Sequence, residues 1–70
     1  MKSYAIRFDF PDGGAPFYAG AYKGGLGWAP TLATAFIYDD ADTAARVLTN
    51  GYGKEARKWG RVIQVKDMAS

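Results

Sequence analysis

Neither cysteine nor histidine occurs among the 70 residues of this chain, and this limits how the fold can be held together. Small domains often depend on disulfides or on zinc, but thiol and imidazole ligands are absent here. Stability must therefore come from a packed apolar core, for which the chain supplies two tryptophans, five tyrosines and four phenylalanines. A chain of this length is interpreted as a single domain, residues 1–70.

The first half of the chain has the pattern of an antiparallel hairpin followed by a further strand. Tyr4, Ile6 and Phe8 alternate with small or charged residues, which predicts a strand with one buried face. Pro-Asp-Gly-Gly at residues 11–14 is strong turn chemistry, and residues 17–23 are the predicted return strand. A third strand is predicted within residues 31–38, centred on 35–38, after a glycine-rich connection at residues 24–27.

The second half predicts one helix and a closing strand. Asp39 or Asp40 is the predicted N-cap, and Asn50-Gly51 ends the helix. The helix face predicted to meet the sheet consists of Ala41, Ala44, Ala45 and Leu48. Residues 52–60 are interpreted either as a basic loop or as one or two further helical turns, and residues 61–66 as the last strand.

These elements predict an α+β fold, in which an antiparallel sheet of three to four strands carries one helix on one face, in the order β-β-β-α-β. The predicted core residues alternate along the strands and follow the apolar stripe of the helix. They are Tyr4, Ile6, Phe8, Phe36, Leu48, Ile63 and Val65. An uncovered edge of such a sheet leaves two possibilities open, a monomer or a homodimer formed by edge pairing.

The residue types argue against catalysis and against a bound cofactor or metal. The catalytic pairs that depend on histidine are excluded by composition. Asp39, Asp40 and Asp42 are interpreted as helix-capping and first-turn charges, because their spacing is not that of a calcium loop. The glycines at 24–27 precede Trp-Ala-Pro and not the Gly-Lys-Ser/Thr of a phosphate-binding loop, so we expect no enzyme activity.

Two surfaces are candidates for binding a partner. The first is the basic-aromatic segment at residues 52–61, which combines cations for phosphate or acidic protein with rings for stacking. Trp59 in this segment is interpreted as either a core or a contact residue, with the core preferred. The second is the outward face of the hairpin, with Trp28 as an additional contact. The predicted partner-binding residues are Tyr18, Tyr22, Lys23, Trp28, Lys54, Arg57, Lys58 and Arg61.

The layout resembles that of small accessory proteins encoded by phages and prophages, some of which are anti-CRISPR proteins or other host-takeover factors. The features that carry the resemblance are Tyr4-x-Ile6-x-Phe8, the aromatic return strand with Tyr18, the lone Trp28, Ala33-x-x-Phe36, the acidic-capped helix at 40–48 and the closing strand at 62–65. The resemblance implies a stoichiometric inhibitor in the cytoplasm of a host cell. It is a resemblance of layout, so it assigns no functional residue.

Two functions follow as expectations. The first is a non-catalytic factor that binds a larger host protein or complex, such as a CRISPR effector. The alternative is a small nucleic-acid-binding accessory protein that uses residues 52–61, for which a net charge of +2 is only mildly favourable. No apolar run is long enough for a membrane span, so we expect no membrane partner. Nucleic-acid binding would weaken steeply with salt, whereas binding through aromatic contacts would not.

Overall fold

The structure is a computed structural model that describes residues 2–22 and 26–65, with the backbone alone at residues 21, 22 and 26. Its strands are β1 (Ser3–Phe8), β2 (Phe17–Tyr22), β3 (Leu26–Ala29) and β4 (Gly60–Val65), and its helices are α1 (Ala41–Gly51), α2 (Lys54–Trp59) and a 3-10 turn (Leu32–Thr34). The strands form one antiparallel sheet in the order β3-β2-β1-β4, and α1 packs against β1 and β4. The predicted α+β fold is confirmed.

The predicted hairpin between β1 and β2 is present, with a turn built as its residues suggest. The Asp12 carboxylate accepts a hydrogen bond of 2.9 Å from the Gly14 N–H, and Gly13 has φ 83°. This positive φ suits glycine because it has no Cβ. The two strands are paired through Arg7 opposite Tyr18 and Phe8 opposite Phe17.

Residues 35–38 lie in the sheet without forming the third strand that the sequence predicted. Tyr4 and Tyr38 exchange two backbone hydrogen bonds of 2.8 and 2.7 Å, and the Phe36 N–H donates to the Ala19 carbonyl at 3.0 Å. The segment therefore bridges β1 and β2 at single points. The third strand is instead Leu26–Ala29, whose first two residues belong to the stretch 24–27 that was interpreted as a connection. The prediction failed because it weighted β-branched and aromatic residues, whereas β3 contains a glycine and pairs through its backbone.

The core lies between the sheet and α1. Ile6, Phe8 and Ala44 are fully buried, and Leu48 packs against them as a half-buried residue. The predicted helix face is correct for Ala44 and Leu48, while Ala41 is half-buried. It is wrong for Ala45, which is exposed, because the buried stripe is centred on Ala44, Val47 and Leu48 and turns residue 45 toward solvent.

The closing strand β4 turns the opposite face to the core from the one that the sequence predicted. Val62 lies opposite Ile6 and packs against the core, and Gly60 lies opposite Phe8. Ile63 and Val65 are half-buried and lie on the other face of the sheet, so their prediction as core residues was wrong. A one-residue change in phase reverses every side chain of a strand, and a run of Val-Ile-Gln-Val does not fix that phase by itself.

The start of α1 is explained by local chemistry. Asp40 is the N-cap, and its carboxylate accepts hydrogen bonds from the backbone N–H of Thr43 at 2.9 Å and from the Thr43 hydroxyl at 3.1 Å. The predicted capping role is therefore confirmed for Asp40. Tyr52 ends α1 in extended conformation, and the second helix then begins at Lys54, so the helical alternative for residues 52–60 is correct.

Candidate functional site

Aromatic rings from three separate parts of the chain contact one another on the side of the sheet that carries α1. Trp28 lies at their centre, with its ring centroid 4.8 Å from that of Phe8 and 5.2 Å from that of Tyr52, both in edge-on geometry. Phe10 and Phe17 complete the group, at 5.7 and 6.4 Å from Trp28. Edge-on and tilted pairs at these distances are favourable, so each ring holds its neighbours in place.

The group is buried on one side and open on the other. Phe8 is fully buried, whereas Trp28 is 50% and Phe17 42% exposed. Phe10 is half-buried beside them. We call Phe10, Phe17 and Trp28 the aromatic patch. Phe10 and Trp28 contact the ring of the buried Phe8, and Phe17 contacts both of them. Exposed large apolar side chains grouped in this way are a feature of binding surfaces.

The pairing of the strands places these rings together. Phe17 lies opposite Phe8, and Trp28 lies opposite Ala19, so all of these residues share one face of the sheet. Gly20, the next residue of β2, lies very close to β3, because a Cβ there would lie 3.1–3.2 Å from backbone atoms of Trp28. Glycine thus allows β3 to approach β2 closely enough to position the tryptophan.

Tyr52 ties the end of α1 to β3 behind the patch. Its hydroxyl donates a hydrogen bond of 2.6 Å to the Gly27 carbonyl. Burial, with a smaller contribution from the Tyr38 charge, raises the pKa of Tyr52 to about 12, although a hydrogen bond with the Gly20 backbone opposes this change. Burial also raises the pKa of Tyr38. The Tyr52 phenol therefore keeps its proton well above neutral pH, as its donated hydrogen bond to Gly27 requires.

Tyr18, which the sequence proposed as a contact residue together with Trp28, does not share a surface with it. Tyr18 lies opposite Arg7 and Ala29, on the face of the sheet away from the aromatic patch, and it is half-buried. The Tyr22 side chain and Lys23 lie outside the described residues. Trp28 is thus the one hairpin-region candidate that the structure places in the patch.

The basic segment divides between α2 and β4. Lys54, Arg57 and Lys58 are exposed on α2, and within residues 2–22 and 26–65 none of them forms an ion pair. Arg57 donates to the Thr49 carbonyl at 3.0 Å, which holds α2 against the end of α1. Arg61 belongs to β4 and pairs with Asp9 at 3.4 Å.

Trp59 lies at the end of α2, apart from the aromatic patch. It is half-buried and does not belong to the core cluster. The Lys58 ammonium lies 5.3 Å from the centre of its ring, within the range of a cation–π contact. The ring is thus partly covered by its own neighbour.

Other classes of site find no support in the part of the chain that the structure describes. It contains no group of three or more acidic residues placed to hold a metal ion. None of the described helices is long and apolar enough to cross a membrane. Comparison with protein-family models, with curated proteins and with solved structures finds no match to this chain.

Sequence reasoning missed Phe10 and Phe17 as surface residues. Both follow the apolar alternation, which is typical of buried positions, and the sequence left open whether Phe17 points inward. Phe17 does lie on the core-facing side of the sheet, but it is the first residue of β2, and the structure leaves it 42% exposed. One signal in the sequence could have indicated this exposure: the chain has more aromatic residues than a single helix can cover on one face of the sheet.

Proposed function

We propose that this protein is a non-catalytic binding factor that captures a larger protein through the aromatic patch. The observation that carries the proposal is the exposure of Trp28 and Phe17, at 50% and 42%, on top of a buried ring cluster. Tryptophan and other aromatic residues dominate the binding energy of protein interfaces, where they fill pockets of the partner.

The packing behind the patch favours binding further. Trp28 is held by Phe8, Phe10 and Tyr52, with the ring centroids between 4.8 and 5.7 Å from its own. A side chain that is already fixed loses little conformational entropy on binding, so more of the contact energy contributes to affinity.

The resemblance to phage accessory proteins extends the proposal to a class of partner. On that basis the partner is a host protein or complex in the bacterial cytoplasm, a CRISPR effector being one example, and binding blocks its action. This extension rests on the layout of the sequence, while the binding surface rests on the exposed rings.

The test is a pull-down from bacterial lysate with the tagged 70-residue chain, treated with nuclease and washed at about 0.3 M salt, where exposed charges are screened. We expect one discrete protein to be retained by the wild type and lost with Trp28→Ala and with Phe17→Ala. Ile37→Ala is the matched control, because Ile37 is 41% exposed but lies outside the patch.

The captured protein is then purified and its affinity measured for each variant whose thermal unfolding shows that it is folded. Loss of a hot-spot aromatic residue is expected to weaken binding by about 2 kcal/mol or more, roughly 30-fold. Equal affinities for the wild type and both patch variants would refute the proposal.

The second candidate function is nucleic-acid binding by α2. The observation in its favour is that Lys54, Arg57 and Lys58 are exposed and form no ion pair among the described residues. If this function is correct, the tagged chain retains nucleic acid in the pull-down, and nuclease treatment or high salt removes it. The variants Lys54→Glu and Lys58→Glu should also fail to retain it. Trp28→Ala would leave that binding unchanged, which separates the two functions.

A further inference from the structure

The two edges of the sheet differ in how well they are protected against pairing with another strand. β3 has four residues, pairs with β2 through a register shift between Ala19 and Tyr22, and contains Gly27 with φ 88°. Pro30 follows directly. A short, irregular strand that ends at a proline is a poor template for a further strand.

β4, at the opposite edge, has no such protection. All six of its residues pair in regular antiparallel register with β1, from Gly60 opposite Phe8 to Val65 opposite Ser3. It contains no proline or bulge, and Val62, Ile63 and Val65 are β-branched residues that favour extended structure. In the part of the chain that the structure describes, no strand lies on its outer side.

The direction of the backbone groups of β4 follows from the ladder. The Asp9 N–H donates to the Trp59 carbonyl at 3.1 Å, so this pair is a hydrogen-bonded one. Hydrogen-bonded and non-hydrogen-bonded pairs alternate in antiparallel sheets, so Arg61 and Ile63 point their backbone groups at β1. Val62 and Gln64 must then point theirs outward.

A second observation agrees with this direction. Tyr4, which lies opposite Gln64, makes both of its backbone hydrogen bonds with Tyr38 on the side away from β4. The pair of Tyr4 and Gln64 is therefore not hydrogen-bonded, and the N–H and C=O of Gln64 face away from the sheet. None of the described backbone hydrogen bonds outside the helices and strands uses Val62 or Gln64.

We propose that β4 is a self-association edge, on which β4 of a second copy of this chain pairs antiparallel about a two-fold axis at Ile63. In this register the outward groups of Val62 meet those of Gln64 of the other copy. Ile63 meets its own symmetry mate across a non-hydrogen-bonded pair, where side chains approach most closely.

In this register β4 pairs with itself without placing like charges opposite each other, which is why a second copy is the chosen occupant. Arg61 is its one charged residue, and it lies opposite Val65 of the other copy. The two Arg61 side chains are four positions apart along the strand, about 13 Å at 3.3 Å per residue, so they do not repel strongly. Two-fold pairing closes both open edges at once and leaves only the protected β3 edges exposed.

Gln64→Pro tests the proposal, because it removes an outward N–H that the ladder with β1 does not use. The Gln64 side chain is exposed, and proline is tolerated on edge strands where the N–H faces solvent. Gln64→Ala is the matched control, since it changes the side chain and keeps the N–H. Analytical ultracentrifugation of the full chain, from micromolar to about millimolar concentration, measures the dimer dissociation constant.

We expect the wild type and Gln64→Ala to dimerise alike, and Gln64→Pro to dimerise at least about 30-fold more weakly, since each dimer loses two hydrogen bonds. Circular dichroism verifies the fold of each variant. A wild type that is monomeric throughout this range overturns the proposal. A folded Gln64→Pro that dimerises like the wild type also overturns it.

A cross-linking measurement keeps the test decisive if Gln64→Pro does not fold. The chain has no cysteine, so Ile63→Cys introduces a single thiol at the proposed axis. Non-hydrogen-bonded pairs have Cα atoms about 4.5 Å apart, within the range of a disulfide. With glutathione disulfide as the oxidant, Ile63→Cys should form covalent dimers at least tenfold faster than Thr49→Cys, whose residue is exposed on α1. Equal rates would mean random collision and overturn the proposal.

Discussion

Adding one methyl group at Gly60 should destabilise the fold, although the backbone there accepts any residue. Gly60 has φ −93°, so alanine suffers no backbone strain. Its Cβ, however, would lie 2.6 Å from Cε2 of Phe8 and 2.8 Å from Cδ1 of Leu48. Phe8 is fully buried and cannot move away. Overpacking of this kind costs about 1–3 kcal/mol, which outweighs the gain of about 0.4–1 kcal/mol that Gly→Ala otherwise brings through the unfolded state.

Urea denaturation of Gly60→Ala should therefore show a free energy of unfolding about 1–2 kcal/mol below that of the wild type, with a melting temperature lower by about 4–16 °C. Gly53→Ala is the control, because a Cβ at that position meets no atom within 4 Å. Gly53 is the N-cap of α2, where alanine is a poorer cap, so gain and loss should cancel to within about 0.5 kcal/mol. A Gly60→Ala protein as stable as the wild type would refute the close packing of β4 against Phe8 and Leu48.

Three further predictions concern α1 and its ends. Asp40→Ala removes the acceptor that caps the Thr43 N–H, and it should lower the free energy of unfolding in urea by about 1 kcal/mol. Asp39→Ala should leave this free energy unchanged, because Asp39 is exposed and is not the cap. Tyr52→Phe removes the 2.6 Å hydrogen bond to Gly27 and should also cost about 1 kcal/mol at neutral pH, with the circular dichroism spectrum unchanged. Since burial raises the pKa of Tyr52 to about 12 from 10.0, the unfolded chain binds fewer protons between these values. The stability that Tyr52 contributes is therefore complete below pH 10 and lost by about pH 12. Between these values the free energy of unfolding should fall less steeply with pH in Tyr52→Phe than in the wild type, and equal slopes would contradict the assignment.

The sequence predicted best those elements whose local chemistry and tertiary role agree. The alternation of Tyr4, Ile6 and Phe8 specified β1 and its buried face, and Asp40 specified the start of α1. Strand β3 has neither signal. It is extended because β2 offers its edge, and because Gly20 lets Trp28 approach closely. Such pairing depends on contacts between distant residues, which periodicity does not report.

The phase of β4 was unpredictable for a related reason. Val62 and Ile63 are both apolar and adjacent, so either could face the core. The choice is decided at Gly60, whose missing side chain admits the Phe8 ring and Leu48. That contact places Val62 on the core side and Ile63 on the other. The sequence prediction for β4 considered only its apolar residues and did not consider that Gly60 must lack a side chain where it meets Phe8 and Leu48.

For the candidate site, the sequence predicted which residue types take part but not how the sheet arranges them in space. Trp28 and the cations of α2 were recognised by residue type and assigned to two surfaces, but the separation of Trp28 from Tyr18 depends on the register of β2 with its neighbours. The sequence left the face of Phe17 open, and in the structure Phe17 faces the core side of the sheet while 42% of it is exposed. A strand residue at the end of a sheet can face the helix side and still lie beyond the reach of the helix.

The aromatic patch and the β4 edge lie on opposite sides of the sheet order, since β2 and β3 carry Phe17 and Trp28 while β4 is the far edge. Self-association at β4 would therefore leave the patch of each copy accessible and present two patches in one assembly. Two linked sites bind a partner with repeated subunits more tightly than either site alone. If both proposals hold, Gln64→Pro should keep the affinity for a single partner molecule and lose only the additional affinity for a multimeric one. Loss of both would instead mean that the edge and the patch are energetically coupled through the sheet.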